Sequence, residues 1–83
     1  MVFLVVTHEG FLEMQPVVTP TAALWLNAEV ATDAEVESLR TRGINVTVFA
    51  ERLGPGGTTE EALETIGEHH PGETLWLETR VPD

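Results

Sequence analysis

Apolar residues fall in short blocks, and the spacing within each block changes along the chain. Residues 2–7, Val-Phe-Leu-Val-Val-Thr, are apolar at consecutive positions, the pattern of a strand covered on both faces. Ala22 to Asn27, Ile44 to Ala50 and Thr74 to Thr79 alternate instead, which predicts three further strands. Two segments of helical spacing lie between them. Thr32-Asp33-Ala34-Glu35 is a capping-box sequence; the helix it opens presents Val36 and Leu39 inward, carries Arg40 and Arg42 in its last turn and stops at Gly43. Thr58-Thr59-Glu60-Glu61 is a second capping box, opening a helix that buries Ala62, Leu63 and Ile66 and ends at His69-His70-Pro71-Gly72. Residues 8–20 fit no single period. Either His8-Glu9-Gly10 turns the chain into a hairpin with a second arm from Phe11 to Gln15, or a helical turn runs from Glu9 to Met14. Pro16 and Pro20 confine any strand there to an edge or a loop.

The resulting succession, β-[hairpin or loop]-β-α-β-α-β, needs crossovers long enough for parallel pairing. It predicts one α/β domain over residues 1–83: a small two-layer unit with a mostly parallel sheet of about four strands and two helices on one face. Alternation places Leu24, Leu26, Ile44, Val46, Val48, Leu75 and Leu77 toward the helices. Trp25, Phe49 and Trp76 then share the opposite side with Asn27, Asn45, Thr47, Thr74 and Glu78. Aromatic side chains amid polar ones suit a partner-binding or homodimer surface. Ahead of that reading stands another, that residues 8–20, through Phe11, Leu12, Met14, Val17 and Val18, fold over that side, because a small domain leaves little apolar surface uncovered. A register slip of one residue would exchange the two faces.

Charge narrows the list of partners. The 83 residues carry four cations, all arginine, against 14 acids, a net charge of −10. Phosphate backbones and anionic lipid both require clustered cations, so direct nucleic-acid binding and membrane docking are not expected. An aromatic base-stacking platform fails on the same ground, because it works with a positive groove. An acidic surface steers a basic protein instead, including a nucleic-acid-binding protein whose ligand it imitates. The absence of cysteine removes disulfides, thiolate zinc sites and cysteine nucleophiles. The apolar opening run lacks a basic leader and falls short of the roughly 20 residues that span a bilayer, which leads us to expect a cytoplasmic protein.

Candidate chemistry is sparse. Gly54, Gly56 and Gly57, with Thr58, lead from a strand into a helix start, where backbone N–H groups can cradle an anion. The loop has neither the lysine of a Walker motif nor G-x-G-x-x-G spacing, and Glu60 and Glu61 already occupy the helix dipole. A flexible turn with a good cap explains the loop without a ligand and is the first reading. The carboxyl edge of a parallel sheet would gather Asn27, Glu29, Glu51, Arg52, Glu78 and Arg80, where carboxylates can hold Mg²⁺ or exchange protons. Glu51–Arg52 and Glu78–Arg80 read as readily as ion pairs. His69 and His70 diverge by about 100° on a helix, and His8 reaches them only if the first strand is antiparallel. Ser38, the one serine, lies mid-helix with no nucleophile elbow. No catalytic residue, metal ligand or cofactor is therefore assigned. The expected function is a non-enzymatic protein-interaction or regulatory module, binding a protein partner or self-associating as a homodimer. A small ligand-binding or metal-assisted hydrolytic domain at the carboxyl edge and glycine loop is the alternative.

Overall fold

Seven elements follow one another in the computed structural model, which describes residues 1–53 and 58–81. They are β1 (Val2–Val5), α1 (His8–Met14), β2 (Ala23–Leu26), α2 (Asp33–Thr41), β3 (Asn45–Val48), α3 (Thr58–His69) and β4 (Leu75–Leu77). The strands form one parallel sheet in the order β3-β2-β1-β4, with Leu4 beside both Trp25 and Leu77. The α/β class and the four-stranded parallel sheet are those the sequence predicts. β1 is an interior strand, which accounts for its unbroken apolar run.

Residues 8–20 are neither hairpin nor irregular at their start: they open with α1. Parallel pairing of β1 with β2 rules out a hairpin, because the chain must cross back before the second strand begins. Thr7 supplies the start signal, its hydroxyl accepting from Gly10 N at 3.1 Å, and Phe11 is driven fully into the core. α2 carries the expected capping box, Glu35 N donating to Thr32 Oγ1 at 3.1 Å and Thr32 N to the Glu35 carboxylate at 2.8 Å. Gly43 then turns the chain with φ of 83°.

The layering differs from the expected pairing of α2 with α3 on one face. Phe11 of α1 and Val36 and Leu39 of α2 pack on Val5, Leu24, Leu26 and Val46. Ala62 and Ile66 of α3 pack on Val2, Leu4, Ala23 and Trp25, from the opposite side. The sheet is thus covered by α1 and α2 on one face and by α3 on the other. Strand order gives the reason. From β1 the chain steps to β2 and β3, then α3 carries it back past β1 to the other edge. Right-handed crossovers that run in opposite directions along a sheet land on opposite faces.

The same reversal separates two identical tripeptides. Leu24-Trp25-Leu26 docks on β1 with Leu24 beside Phe3, whereas Leu75-Trp76-Leu77 docks with Trp76 beside Phe3. The two triplets are one residue out of phase, so the two tryptophans point to opposite faces.

Candidate functional site: the carboxyl edge and the open edge of β4

Strand order reverses between β1 and β4, and the crevice beyond the carboxyl ends of such strands is where open α/β sheets hold ligands. Here a side chain of the protein lies in it. The Glu78 carboxylate accepts from Val6 N at 2.7 Å, Thr7 N at 2.9 Å, Thr7 Oγ1 at 2.5 Å and Arg80 at 3.0 Å. Its side chain is 8% exposed. Burial opposes ionisation, but the Thr7 hydroxyl, the Val6 and Thr7 amides and Arg80 outweigh it, so the carboxyl titrates below its ordinary range. Gly10 makes room for the arrangement: a Cβ there would collide with the Glu78 carboxylate.

Arg80 continues the cluster. Its guanidinium reaches Glu9 at 3.3 Å and Glu13 at 2.5 Å as well as Glu78, which fastens α1 to the chain leaving β4. Its hydrogen bonds to the Glu13 and Glu78 carboxylates raise its pKa still further above the neutral range.

The other predicted edge residues do not join this cluster. Asn27 is buried, donates from Nδ2 to Val6 O at 3.0 Å and Leu53 O at 3.4 Å, and accepts from Leu53 N at 2.7 Å. It clips the ends of β1 and β2 to the chain that follows β3, with both amide hydrogens and one carbonyl lone pair taken up by backbone groups. Glu29, held at φ of 67°, pairs with Arg52 at 2.7 Å on the surface. Asn27, Glu51 and Glu78 line three separate hollows. Gly54, Gly56 and Gly57 lie outside the described residues, and Thr58 is described only as the first residue of α3.

The histidines are split by the direction of β1. His8 follows its carboxyl end and bonds Val30 O through Nδ1 at 2.8 Å. His69 and His70 sit at the far end of α3, where His70 Nε2 accepts from Trp25 Nε1 at 3.2 Å and Nδ1 meets Glu73 at 2.8 Å. A neutral imidazole with its hydrogen on Nδ1 satisfies both bonds. Among the described residues no three His, Asp or Glu side chains are placed to hold a metal ion.

The three predicted interface aromatics divide two against one. Trp25 is 4% exposed beneath α3, with Phe49 at 5.3 Å and the steeply inclined rings of His69 and His70 at 5.4 and 5.9 Å between ring centres. Trp76 stands on the α1 face and is 55% exposed. It lines, with Phe3 and Met14, a hollow of about 320 Å³ between α1 and β4 whose rim carries Glu13, Thr79 and Arg80.

Among the described residues β4 is also an open edge. Val2 N donates to Thr74 O at 2.8 Å and Glu78 N to Leu4 O at 3.0 Å, which directs the Trp76 backbone toward β1. By the alternation of a parallel ladder, the N–H and C=O of Leu75 and Leu77 point away from the sheet. The Leu77 side chain beside them is 43% exposed.

Sequence reasoning missed Thr7, Gly10 and Glu13. A threonine ending a strand, with a glutamate in the turn that follows, is the available sign of a helix start. Compared with known proteins, the chain matches no family model, no curated protein and no solved structure.

Proposed function

We propose that the chain is a non-enzymatic protein-interaction module, cytoplasmic, that docks its partner as an added strand along β4. The observation that carries this reading is the open edge itself: outward backbone groups at Leu75 and Leu77 beside an exposed Trp76. An added strand satisfies both the main-chain groups and the aromatic side chain. Further support comes from the carboxyl edge, where Asn27 and Glu78, the polar groups best sited for chemistry, are consumed by internal hydrogen bonds. No helix among the described residues is long and apolar enough to cross a membrane.

Docking on this edge buries Trp76. Acrylamide quenching of tryptophan emission separates it from Trp25, which is already sheltered. With a strand-forming peptide, or at rising concentration if the partner is a second copy, the accessible emission component should disappear. Leu77→Pro removes one outward N–H without touching the β1 ladder and should prevent the change, while Leu77→Ala should retain part of it. Trp76 staying freely quenchable with every strand peptide and at every concentration would overturn the reading.

A further inference from the structure

Resting on that docking reading, we infer that the occupant of the β4 edge is a cationic extended segment of another protein, and not a second copy of this chain. Charge complementarity supports the choice. Each of the four arginines is committed internally: Arg40 to Glu37 and Val46 O, Arg42 to Gln15 O and Val18 O, Arg52 to Glu29, and Arg80 to three glutamates. There is no lysine, and the chain carries ten more negative than positive charges. A second copy would bring the same deficit to the joint, with its own arginines already spent.

The hollow beside the edge has the same sign. Glu9, Glu13 and Glu78 surround one guanidinium, and the carboxylates of Glu9 and Glu13 are largely open to solvent. A strand laid along Leu75 and Leu77 therefore passes an apolar patch made by Phe3, Met14 and Trp76 and then a net negative cluster at the carboxyl end of β4. Alternating apolar and basic side chains match that sequence of surfaces, because alternate residues of a strand share one face. The acidic field also speeds encounter with such a segment, and like charge disfavours the competing homodimer.

The test compares two peptides of eight residues, one alternating Lys and Val and the other alternating Gln and Val, by calorimetric titration into the intact protein at low and high salt. The Lys peptide should bind about tenfold more tightly at low salt. The advantage should collapse at high salt, since the screening length falls from about 10 Å at 0.1 M to about 3 Å at 1 M. Glu9→Gln with Glu13→Gln should weaken the Lys peptide and leave the Gln peptide unchanged, and Leu77→Pro should weaken both. Equal binding of the two peptides would overturn the cationic partner while leaving strand docking intact. Sedimentation showing a dimer that shelters Trp76 would replace the partner with a second copy. Binding of the Lys peptide untouched by Leu77→Pro would overturn the inference by placing the contact elsewhere. If neither peptide binds and no dimer forms, both this inference and the docking reading fall.

Discussion

Glu78 ties the end of β1 to the chain leaving β4, and its loss should cost measurable stability. Glu78→Ala removes the acceptor for the Val6 and Thr7 amides, the Thr7 hydroxyl and one Arg80 nitrogen. Hydrogen bonds to a charged group contribute about 1.5–3 kcal/mol each, and an orphaned buried donor costs about 1–3 kcal/mol. The four bonds share one carboxylate and are not additive, and water can enter from the Arg80 side. A loss of about 2–4 kcal/mol follows, which in a domain of this size lowers the melting temperature by roughly 10–25 °C. Gly10 provides an internal check. Gly10→Ala should destabilise the wild type by expelling the carboxylate. In the Glu78→Ala background it should instead stabilise, by up to about 1 kcal/mol, because alanine is the better helix former. The pH dependence has a fixed sign. The folded carboxyl titrates below its ordinary 4.5, so its contribution is complete above that value and is lost as pH falls through the lowered one. Denaturant melts of the wild type, both single variants and the double variant, repeated from neutral to acid pH, measure all of this. A Glu78→Ala change within about 0.5 kcal/mol, or additive effects of the two substitutions, would refute the reasoning.

Two further outcomes follow from the other buried polar groups. Asn27→Asp keeps the acceptor for Leu53 N but turns a carboxylate toward the carbonyls of Val6 and Leu53, and should cost about 2–4 kcal/mol in denaturant unfolding. His70→Ala strips the acceptor from the Trp25 indole, which is almost wholly buried; it should cost about 1–3 kcal/mol and alter the Trp25 emission while leaving Trp76 as quenchable as before.

Much of the fold is legible in local pattern. Thr32 and Glu35 announce α2 through a reciprocal bond made within four residues, and the apolar run of β1 announces an interior strand. What local pattern does not carry is direction and phase. Leu24-Trp25-Leu26 and Leu75-Trp76-Leu77 are the same letters, and only their register on β1 decides that one tryptophan is core and the other surface. That register depends on which edge of β1 the chain returns to, a property of the whole path. α1 was half legible for a related reason. Of its apolar side chains only Phe11 is fully buried, Leu12 being exposed and Met14 partly covered, and its glycine is required by Glu78, a residue 68 positions away in the chain. The carboxyl edge divided the same way: Glu78–Arg80 was readable as a pair, but the amides that Glu78 receives come from the end of β1 and could not be read from its neighbours.

Amide hydrogen exchange resolved by residue reports whether β4 is the docking edge. In the free protein the Leu75 and Leu77 amides should exchange quickly and the Trp76 amide slowly, following the alternation of the ladder. On addition of the Lys–Val peptide, Leu75 and Leu77 should become protected while Trp76 changes little. Protection confined to other segments, or none at Leu75 and Leu77 when the peptide is bound, would mean that the peptide does not add a strand to β4.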